Sequence, residues 1–168
     1  MRAALPPLTA SVPSLRSVVV DTTDARTLAE FYRELLGYGY RPGDEPPIAG
    51  QPDPRGADWL VLIAPDGRGR LAFQQVDRLP EPTWPDPAVP QQLHLDLSVP
   101  SSEELAAQHG RILALGARLL QDRFDDPDEP LYVYADPSGH PFCVFVPADE
   151  AGAESAETRS APASPAQQ

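Results

Sequence analysis

Apolar residues recur at strand or helix spacing in two stretches of the chain, which a run of prolines separates. Residues 16–22, RSVVVDT, are β-branched and short, the composition of a strand. In the TDARTLAEFYRELLGYG that follows, Leu28, Phe31, Leu35 and Leu36 fall at helical spacing and predict one apolar stripe. Thr23 or Asp24 offers a cap oxygen at its start, and Gly37 a stop. After a loop rich in Pro and Gly, ADWLVLIA and RLAFQQVD read as two strands joined across the turn PDGRG.

The second stretch opens on QLHLDLSV, an alternating strand with Leu93, Leu95 and Leu97 on one face and His94 and Asp96 on the other. SSEELAAQHGRILALG then reads as a helix capped by Ser101 or Ser102, with Glu104 near the capping-box position and Gly116 at its end. Three strands follow, ARLLQD, LYVYAD and HPFCVFV, the last two joined across DPSG. The two stretches share one order of elements. Setting Ser17 on His94 brings Asp24 onto Ser101 and Leu28 onto Leu105, so a repeated βαβββ unit is the simplest account. The predicted body is residues 15–146, with one module over 15–77, a connector over 78–90 and a second module over 91–146. Residues 1–14 and the acidic 147–168 are rich in Ala, Pro, Ser and Glu and short of large apolar side chains, and are expected to be disordered tails.

Charge and composition exclude several classes of function. A formal net charge of -12 over 168 residues, without a basic cluster, argues against nucleic acid and against an anionic membrane surface. No apolar run is long enough to span a bilayer, and Pro6, Pro7 and Pro13 interrupt any signal-peptide core, so a cytoplasmic protein is expected. One cysteine, Cys143, precludes an intrachain disulfide. Read as isolated residues, His109 belongs on a helix surface and His140 in the turn into the last strand. Trp59, Trp84, Tyr132 and Tyr134 are core or cavity aromatics. Trp84, in the proline-rich connector, either covers a cavity mouth or pins the connector to the body.

The string VVVDTTDARTLAEFYRELLGYG, with QLHLDLSV and YADPSGHPFCVF, closely resembles the glyoxalase-like proteins of the vicinal oxygen chelate superfamily, over about residues 15–146. The resemblance implies an α+β fold in which paired βαβββ modules form a cupped, partly closed mixed sheet with helices outside, as a monomer or a homodimer. Its members include glyoxalases, extradiol dioxygenases, epimerases, metal-dependent antibiotic-modifying enzymes and non-catalytic proteins that sequester drugs such as bleomycin. Their enzymes commonly hold a divalent metal through the first and last strands of each module. Carried over by position, Ser17 stands where a His is usual, Gln74 where a Glu is usual, His94 at a His position, and Cys143 where a Glu is usual.

Such a set holds one imidazole, one neutral amide, a hydroxyl and a thiol, with no carboxylate to balance a cation. Asp21 and Asp96 are the nearest acidic candidates, and Trp59 and Tyr132 further candidates for the pocket wall. No cofactor is expected, and a divalent metal is the minor alternative. The expected function is small-molecule binding around Ser17, Gln74, His94 and Cys143, of the kind that sequesters a drug or metabolite. The alternative is a lyase, isomerase or dioxygenase-type enzyme with an atypical metal site, or with metal-free acid/base catalysis by His94. An interaction module acting through the acidic tail is a third, weaker reading.

Overall fold

The computed structural model describes residues 13–147, so the predicted tails lie almost wholly outside the described residues. Its elements are β1 (Val18–Thr22), α1 (Ala25–Leu36), β2 (Gly39–Tyr40), β3 (Trp59–Ile63), β4 (Arg70–Gln75), β5 (Leu95–Ser98), α2 (Ser102–Ala114), β6 (Arg118–Arg123), β7 (Leu131–Ala135) and β8 (Pro141–Phe145). They form two four-stranded sheets, ordered β1-β4-β3-β2 and β5-β8-β7-β6. In each, the first strand pairs in parallel with the last and the remaining pairs are antiparallel. The fold is α+β, two βαβββ modules whose sheets are mixed and are not closed into a barrel.

Local chemistry sets the helix ends. Asp24 caps α1, its carboxylate accepting from the Thr27 amide at 3.0 Å, and Gly37 closes the helix at φ 66°, a left-handed conformation that a side chain would strain. Ser101 caps α2 by accepting from the Glu104 amide at 3.2 Å, with Glu103 and Glu104 in the favourable first turn. The aligned positions of the repeat therefore coincide: Asp24 and Ser101 are both caps, Ser17 and His94 each immediately precede a first strand, and Leu28 and Leu105 are both fully buried. Two details differ from the pattern reading. The two-residue β2 has no periodicity to betray it, and the strand predicted over QLHLDLSV begins only at Leu95.

A long loop, 41–58, returns the chain from β2 to β3. Arg26 of α1 holds it, with Nε and Nη2 donating to the two Asp53 oxygens at 2.7 and 3.1 Å and Nη1 donating to the Asp44 carbonyl at 2.9 Å. The guanidinium also lies 4.9 Å from the centre of the Tyr40 ring. The buried Asp44 carboxylate accepts from the Val61 amide at 2.9 Å and so ties the loop to β3.

The helix-bearing faces of both sheets share one core. The Tyr32 ring of α1 stacks on Phe73 of its own sheet at 5.7 Å, while Phe31 meets Phe142 of the other sheet edge-on at 5.8 Å. Around this apolar contact lies a buried polar seam. Tyr32 Oη donates to Asp136 Oδ2 at 3.0 Å, and Asp136 Oδ1 accepts from the Ser138 and His140 amides. His140 Nε2 donates to the Asp21 carbonyl at 2.7 Å, and the Thr22 and Ser138 hydroxyls bond at 2.7 Å. Burial raises the Asp136 carboxyl pKa, an effect opposed by His140, the Tyr32 hydroxyl and the two backbone amides.

Replacing Tyr32 with Phe leaves a buried carboxylate short of one donor, and should cost about 1–3 kcal/mol of stability at neutral pH. A carboxyl whose folded pKa is raised stabilises the fold when protonated, and that stability is lost as pH rises through the folded value. The Tyr32→Phe penalty, read from denaturant melts, should therefore shrink when the same pair is compared at about pH 4.5. A penalty that is the same at both pH values would sink this account of the seam.

Candidate functional site

The second-module sheet assembles most of the candidate chemistry on the face away from the core. Leu95 and Leu97 pack into the core, so Asp96 between them points the other way, opposite Cys143 on β8. His94, one residue before β5, brings Nε2 to 3.6 Å from Asp96 Oδ1, with the two side chains 45% and 58% exposed. Gln91 Nε2 donates to His94 Nδ1 at 3.1 Å, which leaves the proton of the neutral ring on Nε2, facing Asp96. Burial pushes the Cys143 thiol up to about 11, helped by the charge of Asp96, a hydrogen bond to it, and the charge of Glu129. Cys143 is thus a protonated, half-buried thiol, and the nucleophile reading has no support in its surroundings.

His94 and Cys143 line a cavity of about 110 Å³ with Trp84, Gln91, Val133 and Pro141. Trp84 comes from the connector, which is seated on the second module. Arg118 of β6 donates to Glu81 at 2.7 Å, and Gly139 passes so close that a Cβ there would meet Glu81 Cγ at 2.8 Å. Gly139 also has φ 92°, a conformation that a side chain would strain. Thr83 closes the connector on itself: its amide donates to the Val89 carbonyl at 3.0 Å and its Oγ1 accepts from the Val89 amide at 2.9 Å. Glu81 thus holds the connector to the second module, and Trp84 walls the cavity.

The remaining candidates lie elsewhere. Ser17 and Asp96 line a second cavity, of about 260 Å³, between β1, β4 and β5. Asp21, Gln74 and Trp59 form a row across the first sheet, and they line neither of these cavities. Gln74 is exposed. The internal repeat adds a point of register: Val18 faces Leu71 as Leu95 faces Phe142, so the counterpart of Cys143 in the first module is Ala72, and that of Gln74 is Phe145. Tyr132 and Tyr134 point into the core. His109, expected on a helix surface, is half-buried and stacks on Tyr132 at 4.3 Å with Nδ1 2.8 Å from the Tyr134 hydroxyl. Sequence reasoning passed over Gln91, because residues three apart on a strand point to opposite faces. The chain bends at Gln92, before the strand begins, and that bend brings the two together.

A twofold βαβββ repeat of this topology is the architecture of vicinal oxygen chelate proteins. The glyoxalase-like domain family matches residues 17–145, and the chain belongs to it. In fold it is similar to the fosfomycin resistance protein FosX from Listeria monocytogenes, at 15% identity and TM-score 0.58, covering 82% of this chain and 95% of that one. It is also similar to a glyoxalase/bleomycin resistance protein/dioxygenase family enzyme from Burkholderia phytofirmans, at 16% identity and TM-score 0.56, covering 77% and 95%. A hypothetical protein from S. aureus matches at 14% identity and TM-score 0.56, covering 82% and 100%. A mutant of the Listeria protein is complexed with Mn(II) and 1S,2S-dihydroxypropylphosphonic acid. No curated protein matches the sequence.

The residues at the family's metal positions are not gathered in one place. Ser17 lines a different cavity from His94 and Cys143, and Gln74 lines neither. Among the described residues no three His, Cys, Asp or Glu side chains gather in a group that could hold a metal ion. Likewise no helix among the described residues is long and apolar enough to cross a membrane.

With its pKa near 11, Cys143 should react with iodoacetamide at neutral pH about a hundredfold more slowly than an unperturbed thiol of pKa about 8.5. Asp96→Asn removes a neighbouring charge and should move the alkylation profile to lower pH. Rapid neutral alkylation of the native protein would contradict the protonated thiol.

Proposed function

We propose that this protein binds a small molecule in the second-module cavity without the family's metal, as a sequestering rather than a metal-dependent catalytic member. The carrying observation is the arrangement around His94. One ring nitrogen is engaged by Gln91 and the other faces Asp96, beside a protonated thiol and the connector's Trp84. A group set of this kind offers directed hydrogen bonds and an apolar wall, which is what a specific pocket needs. It offers neither a reactive nucleophile nor a charged metal cradle.

A second reading rests on the same contact. An imidazole 3.6 Å from a carboxylate is a plausible acid/base pair, so metal-free proton transfer by His94 is the enzymatic alternative. Cytoplasmic residence, with a monomer or homodimer as the working unit, completes the proposal.

The test compares the native protein and His94→Ala in two measurements: elemental analysis of protein purified without chelators or metal-binding tags, and a thermal-shift screen of small molecules. The expected result is no stoichiometric metal in either protein, and ligands whose stabilisation falls about tenfold in apparent affinity in the variant. Stoichiometric metal that disappears with His94 would overturn the metal-free reading. Turnover of a hit that vanishes in the variant would transfer the site to the enzymatic reading.

A further inference from the structure

The polarity of the second-module cavity identifies the class of ligand it suits, an inference that rests on the binding reading above. The six residues lining the cavity include no arginine. All thirteen basic residues of the chain are arginines, so no flexible lysine is available to reach in. The Asp96 carboxylate at its rim is more than half exposed, and the only cationic partner among its described contacts is the His94 ring at 3.6 Å, which is charged only when protonated. Arg16, Arg68 and Arg70 share the neighbouring 260 Å³ cavity with Asp96, but none pairs with it among the described contacts, and on β6 Arg118 is engaged by Glu81 and Arg123 by Asp126.

Two features of the site favour positive charge, and a third favours a ring. The Cys143 thiol is hindered from ionising, after burial, by the negative charges of Asp96 and Glu129, so it senses a negative local potential. Trp84 contributes an indole, the aromatic that attracts cations most strongly. Val133 and Pro141 supply an apolar floor, suited to a ring but not to a hydrated ion. The volume of about 110 Å³ is below the roughly 150 Å³ of an apolar cavity that takes a benzene, so the cavity encloses only part of a small ring. Its polar end must then reach the open rim where His94 and Asp96 stand.

We infer that the cavity bounded by Trp84, His94 and Cys143 accepts a planar aromatic ring carrying a cationic nitrogen, with the ring against Trp84 and the charge toward Asp96. An anionic ligand is disfavoured at the same position because it meets Asp96 and no arginine lines this cavity. A neutral isostere keeps the ring contact and loses the charge contact.

The chain has two tryptophans, so Trp59→Phe leaves Trp84 as the sole indole reporter. Titrating that variant with benzamidine, benzamide and benzoate, which share a ring and differ in charge, should give a saturable change in Trp84 emission with benzamidine. Its affinity should exceed that of benzoate at least tenfold, and Asp96→Asn should bring it down to that of benzamide. Ligand-observed NMR with Trp84→Leu, checked for native melting, should show benzamidine binding lost. Equal binding of the three probes, or a benzamidine affinity indifferent to Asp96→Asn, overturns the cationic class while leaving small-molecule binding intact. No response of Trp84 to any of the three overturns the pocket assignment itself. The metal and thermal-shift measurements on His94→Ala then judge the broader reading separately.

Discussion

Everything in this molecule depends on α1 being shared. Its Phe31 and Tyr32 rings pack on the first sheet and also reach Phe142 of the second, so the two modules have one interior. An apolar interface alone tolerates sliding. The Tyr32–Asp136 bond and the His140 contact to the Asp21 carbonyl fix the relative position, because each buried polar group has only one place where it is satisfied. The same turn that carries Asp136 and His140 leads directly into β8, whose Cys143 faces the candidate pocket. Structural constraint and candidate chemistry are thus two faces of one strand, separated by the alternation of side chains.

Two histidines show how differently the fold uses the same side chain. His140 is almost wholly buried, donates to a backbone carbonyl and leaves Nδ1 without a partner among the described residues. It serves assembly. His94 is nearly half exposed, and both its nitrogens face polar side chains. Residue type did not separate them, but position did: one lies in a turn drawn into the seam, the other at a rim where the strand has not yet begun.

Much of the architecture was legible from pattern. Helix caps, glycine stops and alternating leucines are local signals, and the match of Asp24 with Ser101 and of Leu28 with Leu105 needed only the sequence. The site was legible in part. His94, Asp96 and Cys143 were within reach of reasoning because a period of two puts Asp96 beside His94, and strand pairing adds Cys143. Gln91 and the seat of Trp84 were not, since both depend on irregular backbone: a bend before β5 and a connector folded across another strand's turn. The offset that sets Ala72 rather than Gln74 opposite Cys143 in the repeat also escaped, because a shift of two residues keeps the same face and leaves the pattern unchanged.

The clamp on the 41–58 loop has a consequence for motion. One guanidinium engages Asp53, the Asp44 carbonyl and the Tyr40 ring together, so these contacts are broken or kept as a set. A segment held by this clamp and by the Asp44–Val61 bond opens as one cooperative unit when both give way, at a free energy below that of global unfolding. Amide exchange along the loop should therefore be nearly uniform and faster than in β3. The Val61 amide, which donates to Asp44 of the loop, would then exchange with the loop rather than with the rest of β3.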